Sequence, residues 1–241
     1  MKCMKRKKLK KILYVLFSLF LFDRYAYPLI HYSIPPIYVK KAIKSKKIQK
    51  LCKTDLYLKF LKDDLKTPLS VLKLAHLVTA KYLTYVPHID FPFKERRDAF
   101  EKGEADCSFY SIFVYSNYLY IVEKLGLNHL KDKVRLVTGY VSTEDVSGAH
   151  RWVEYKEDGA WKVYETTDDI FESCEFLCPS KKSIEEELKL VENLNEGNYY
   201  GLTYIHFKNG ELKRGANLKN IIFNKKGLAQ LVIETLKNRD Y

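Results

Sequence analysis

The stretch "HRWVEYKEDGAWKVYETT" (residues 150–167) reads as two short strands around a glycine turn, and the way it pairs with itself decides the fold. Side chains alternate along a strand, so His150, Trp152 and Glu154 share one face, and Trp161, Val163 and Glu165 share one face of the partner. With a two-residue turn at Asp158-Gly159, Trp152 pairs with Glu165 and His150 with Thr167. Glu165 is then a diagonal neighbour of His150 on the same face. A four-residue loop sets Glu165 directly opposite His150, again on that face, and only an odd loop separates them. Asp168, the competing acid, has the opposite parity unless a bulge intervenes. A further strand is expected upstream in "VRLVTGYV" (134–141).

Before these strands the period is helical. "GEADCSFYSIFVYSNYLYIVEKLG" (103–126) puts Cys107 where a turn becomes a helix. At that position unpaired backbone N–H groups and the positive end of the helix dipole favour a thiolate. Phe109, Ile112, Phe113, Tyr115, Tyr118, Leu119 and Val122 make this helix apolar enough to be central and buried, and Gly126 ends it. Upstream, Thr67 as N-cap and Pro68 at the first helical position open another helix with an apolar face of Leu69, Leu72, Leu74, Leu77 and Val78. Helices are also expected over 39–62, 183–194 and 226–238, and a second hairpin over 202–215 around Asn209-Gly210. The fold class is therefore α+β, with the cysteine helix packed on an antiparallel sheet that carries His150 and Glu165. Trp152 and Trp161 are expected to pack that sheet against the helix, or to bind substrate, near the site.

Charge is concentrated at one end. Of 42 Lys and Arg, 15 fall in residues 1–53 against one acid, Asp23, which leaves 27 basic and 29 acidic residues over 54–241. A near-neutral body argues against nucleic-acid binding by the body; binding through Lys40–Lys53 is the form such an activity would take. The chain opens "MKCMKRKKLKK" and continues apolar through "ILYVLFSLFLF" (12–22), the length of a signal-peptide core and short for a membrane span. Residues 1–38 are read as a basic N-terminus with a signal peptide or membrane anchor. The body is then membrane-anchored or secreted and extracytoplasmic, with the cytoplasm as the alternative. The lysine run 40–50 could meet an anionic membrane or wall polymer, or be a solvated helix face. Cys3, Cys52, Cys174 and Cys178 form no evident disulfide framework, no zinc-site spacing is complete, and no cofactor is implied.

Cysteine hydrolases and acyltransferases need a thiolate, an imidazole to hold its proton and a third group to orient that imidazole. Cys107, His150 and Glu165 supply the three types. Each alone has an ordinary reading, as a packed thiol, a satisfied histidine and a strand carboxylate; their order and parity together favour catalysis. "GEADC", "VTGYV", "GAHRWVEY" and "GAWKVYETT", in that order over 103–167, resemble transglutaminase-like cysteine proteins. The resemblance covers roughly a quarter of the chain. It implies a papain-like core within a domain spanning 39–241, with Cys107 as nucleophile, His150 as general base and acid, and Glu165 as orienting acid. That family usually has aspartate at the third position, and many members keep a second glycine where "GEADC" has Ala105 and Asp106. The implied reaction is amide or isopeptide hydrolysis, or transamidation, on a peptide or protein substrate, and the extracytoplasmic address suits cell-envelope crosslinks. The alternative is a catalytically silent binding or scaffold domain of the same fold.

Overall fold

A computed structural model gives the fold and describes residues 14–19, 21, 39–40, 65–80, 83–86, 103–142, 147–167 and 198–223. Helix α1 (Pro68–Ala80) starts as its sequence dictates: the Thr67 hydroxyl accepts from the Ser70 N–H at 3.1 Å, and Pro68 needs no partner in the first turn. Two short segments, β1 (Thr84–Tyr85) and β2 (Glu104–Ala105), then pair in parallel, and this pairing holds the approach to the cysteine in place. Helix α2 (Cys107–Lys124) follows directly. Asp106 caps it, its Oδ1 accepting from the Phe109 N–H at 3.0 Å, and Gly126 ends it at φ +70°.

α2 is buried along most of its length, and two of its polar side chains are held by hydrogen bonds, while Asn117 Oδ1 has no partner among the described residues. Ser116 Oγ donates to the Ile112 carbonyl at 2.6 Å, and Asn117 Nδ2 donates to Thr79 Oγ1 at 2.8 Å, tying α2 to α1. After a single 3-10 turn (Asn128–Leu130) come β3 (Val134–Ser142), β4 (Ser147–Glu157), β5 (Ala160–Tyr164), β6 (Asn198–Lys208), β7 (Glu211–Ala216) and a short helix α3 (Leu218–Phe223). The five long strands form one antiparallel sheet in the order β5-β4-β3-β6-β7, so the described residues are α+β. Both hairpins turn on two residues with positive φ, Asp158-Gly159 and Asn209-Gly210, the backbone that matches the twist of paired strands.

One sheet face meets the helices. Val134, Leu136, Val153, Tyr155, Tyr164 and Ile205 share a buried core with Leu72, Leu74, Ile112, Tyr115, Tyr118 and Val122. Each large apolar side chain so buried stabilises the fold by roughly 1.5–3 kcal/mol. Alternation then assigns Trp152 to the opposite face, where its neighbours are His150, Tyr199 and Glu154. The expectation that Trp152 and Trp161 pack the sheet against the cysteine helix is thus corrected: Val153 and Tyr155 do that. Trp152 is fully buried beside His150, and Trp161 stacks on Arg135, whose guanidinium lies 4.2 Å from the ring centroid. Parity shows which residues share a face, but not which face the helices cover.

The sheet also carries a bulge that the sequence did not announce. Thr138 pairs with Thr203 but Gly139 pairs with Gly201, which leaves Leu202 as the extra residue on β6. A Cβ at Gly139 would lie 2.1 Å from the Tyr200 carbonyl oxygen, so the bulge requires glycine there. The helices expected over 183–194 and 226–238, most of the one over 39–62, Asp168, Cys3, Cys52, Cys174 and Cys178 lie outside the described residues. Within the described residues no helix is long and apolar enough to cross a membrane, and the helical residues Tyr14, Val15, Leu16 and Phe17 are exposed.

Candidate functional site

The site forms where β5 stops. Its ladder with β4 ends at the pair Val153 and Tyr164, so among the described residues the first half of β4 is paired with β3 on one side and with no strand on the other. The first turn of α2 fills that gap. Ser111 Oγ lies 2.8 Å from the Arg151 carbonyl, 2.7 Å from the Cys107 carbonyl and 2.7 Å from Thr166 Oγ1, a junction between helix, strand and the segment after β5. Arg151 closes it from the other side, donating from Nη1 to the Ser108 carbonyl and from Nε to Thr138 Oγ1, both at 3.0 Å. The Arg151 carbonyl, which an edge would leave open, is thereby paired. The helix start comes round the sheet edge, and Cys107 reaches the face that carries His150.

The hairpin register is the one given by the two-residue turn, and continuing it past the ladder sets Trp152 against Glu165. Glu165 leaves the strand there and meets His150: Nε2 of the ring lies 2.9 Å from Glu165 Oε2. The imidazole also has Cys107 as a hydrogen-bonding and charge partner. The three residues singled out from the sequence are thus brought together. Cys107 is half-buried, whereas the His150 and Glu165 side chains are 12% and 5% exposed.

Glu165 is held unusually completely. Oε1 accepts from the Thr166 N–H at 2.8 Å, the Thr167 N–H at 3.0 Å and Thr167 Oγ1 at 2.8 Å. Oε2 accepts from the Tyr199 phenol at 2.8 Å in addition to the imidazole. Burial by itself would raise this carboxyl, but hydrogen bonds from His150, Thr167 and Tyr199 and the imidazolium charge overcome it and hold it down at about 2. Burial likewise opposes a charge on His150. The hydrogen bonds to Cys107 and Glu165 and their negative charges prevail, so the imidazolium is raised from 6.5 to about 10. The arrangement favours an imidazolium held by the Glu165 carboxylate beside Cys107.

Two supporting groups carry no sequence signal of their own. His76, buried on α1, accepts or donates at 3.0 Å with the Tyr164 hydroxyl and hydrogen-bonds the Thr166 backbone, bracing the segment that presents Glu165. Burial drives its imidazolium down to about 3, so it is neutral. On the sheet face, Trp152 Nε1 donates to Glu154 Oε1 at 3.2 Å, and Arg135 Nε donates to Glu154 Oε2 at 2.7 Å, which fixes the indole that stacks on His150. Their spacing along the chain, 76 to 164 and 135 to 154, gives a sequence reader nothing to find. Among the described residues no three His, Cys, Asp or Glu gather as metal ligands. Comparison with known proteins finds no family model that matches the chain and no curated protein that matches it.

Proposed function

We propose that this protein is a thiol-dependent amide or isopeptide hydrolase or transamidase of transglutaminase-like, papain-like type, working through Cys107, His150 and Glu165. The observation that carries the reading is one imidazole hydrogen-bonded to the thiol of Cys107 and, through Nε2, to a buried carboxylate. The Cys107 thiolate attacks the carbonyl carbon of an amide, and the backbone N–H of Cys107 is a donor for the oxyanion. His150 gives its proton to the leaving amine as the C–N bond breaks, leaving a thioester and a neutral imidazole. Water or a second amine then loses its proton to His150 and attacks the thioester, which restores the thiolate–imidazolium pair and releases an acid or a new amide. Hydrolysis and transamidation differ only in that acceptor. Glu165 stays ionised throughout and holds the ring in place through Nε2.

Peptide crosslinks of the cell envelope are the proposed substrate class, and this follows from the proposed address. A basic run followed by exposed apolar residues at 14–17 supports attachment to an anionic membrane, with the body outside the cytoplasm. A second reading, a silent domain that holds a peptide without turning it over, needs an unreactive Cys107.

Alkylation of the full-length protein across pH, with peptide mapping to separate Cys107 from Cys3, Cys52, Cys174 and Cys178, distinguishes the two. Labelling of Cys107 that stays fast well below the free-thiol value of about 8.5, and slows at least tenfold in His150→Ala at pH 6, is the expected result. Labelling no faster than that of the other cysteines would overturn the enzyme reading in favour of the binding domain.

A further inference from the structure

We propose that Tyr199 is a positioning residue of this site: its phenol shares Glu165 Oε2 with the His150 ring, fixing the direction of the carboxylate and limiting how strongly it holds a proton on the imidazole. The consequence for the thiol rests on the catalytic reading above; the coupling between phenol, carboxylate and imidazole does not.

Tyr199 comes from β6, two strands away from His150 in the sheet, and its own ladder partner is Val141 on β3. To meet Glu165 its side chain must reach past β3. Gly139 lies opposite His150 on one side and opposite Gly201 on the other. The ring is set edge-on against Trp152, with centroids 5.2 Å apart, and lies 6.5 Å from the His150 ring. Trp152 is itself anchored through Glu154. This is a built contact on rigid strands.

Lone-pair counting shows what the contact does. A carboxylate oxygen offers about two acceptor directions in its plane. On Oε2 the imidazole takes one and the phenol the other, while Oε1 is taken by Thr166 and Thr167. Glu165 can then neither rotate its other oxygen toward His150 nor present both lone pairs of Oε2 to it. The donors on Oε1 are one and two residues away in the chain, whereas Tyr199 is 34 away, so it is Tyr199 that ties the carboxylate to the far side of the sheet.

The ionisable groups that face or adjoin the His150 ring can be named from each element around it. They are Cys107 on α2, with Asp106 capping that helix, Glu165 after β5, and Tyr199 on β6. Glu154, further along β4, is neutralised by Arg135 on β3, and the neutral His76 on α1 lies behind Glu165. With the phenol removed, Oε2 keeps more of its charge and binds the imidazolium more strongly, so the ring gives up its proton at higher pH.

NMR titration of the histidine ring signals in the full-length protein, with His150 assigned by its absence in His150→Ala, tests this directly. In Tyr199→Phe the His150 midpoint is expected about 0.5–1 pH unit higher than in the wild type, with the melting temperature unchanged. Tyr199→Leu, which also removes the ring, is expected to move it in the same direction by no more. The alkaline limb of Cys107 alkylation by iodoacetate, an anion drawn by the imidazolium, should follow the same shift. An unmoved or lowered midpoint in Tyr199→Phe overturns the proposal, and a much larger shift in Tyr199→Leu would assign the effect to the ring and overturn the role of the phenol. An unreactive Cys107 with a shifted His150 defeats the catalytic reading alone; a reactive Cys107 with an unshifted His150 defeats the role of Tyr199 alone.

Discussion

Glu165 is the residue at which small changes matter most, because its length suits the donors around it. Five hydrogen bonds converge on its two oxygens from the loop, the imidazole and the phenol. Aspartate, the usual acid in the family that the sequence resembles, is one methylene shorter and would withdraw the carboxylate by about 1 Å, which is enough to cost a poised site about tenfold to a hundredfold in rate. Glu165→Asp is therefore expected to slow Cys107 alkylation at pH 6 by tenfold or more and to lower the His150 midpoint, while circular dichroism stays unchanged. Alkylation at the wild-type rate would show that the donors follow the carboxylate inward. His150 and Cys107 owe their placement to different elements, and a carboxylate that reaches the imidazole is what joins them into a unit.

At the scale of elements, the bulge and the turns make separate demands on glycine. At Gly139 a Cβ would strike backbone, 2.1 Å from the Tyr200 oxygen and 2.9 Å from Gly201 Cα, so no side-chain rotation relieves it. At Gly159 nothing lies within 4 Å, and only the φ of +83° resists substitution. Gly139→Ala is expected to cost ~3 kcal/mol or more and Gly159→Ala ~1–2 kcal/mol in urea unfolding, the first also disturbing the His150 signals and the second leaving them in place. Equal costs would mean that β3 and β6 can part at the bulge. The contrast also marks how far the sequence could be read. Asp158-Gly159, Asn209-Gly210 and the Thr67-Pro68 helix start act on their nearest neighbours, and their elements stand where the pattern puts them. So do the parity of His150 with Glu165 and the helix that begins at Cys107. The bulge at Gly139, the reach of Tyr199, the Ser111 junction and the face taken by Trp152 depend on residues from 34 to more than 60 positions apart. Such meetings are set by how the layers stack, and local pattern does not encode them.

Across the whole molecule the buried histidines and Glu165 give stability a defined pH course. His150 is raised to about 10, so its contribution is complete below the ordinary 6.5 and is lost as pH rises through 10. His76 is lowered to about 3, so below 6.5 the unfolded chain takes up a proton that the folded one refuses, and stability falls toward pH 3. Glu165, lowered from 4.5 to about 2, adds a second loss below 4.5. From these three groups the urea midpoint should peak near pH 6.5 and fall more steeply below 4.5 than above it, and His76→Phe should flatten the stretch between 6.5 and 4.5. A midpoint that rises steadily from pH 6.5 to 9 would be incompatible with a charged, buried His150. One architectural detail has a bearing beyond chemistry. By ending β5 at Tyr164 and lodging the start of α2 in the space, the fold uses the helix that carries Cys107 as a stopper on a strand edge. An uncovered edge of that kind recruits strands from other molecules. Lesions at Ser111 or Arg151 should therefore surface first as clumping of otherwise folded protein, so that solubility and the placement of Cys107 are guarded by the same few contacts.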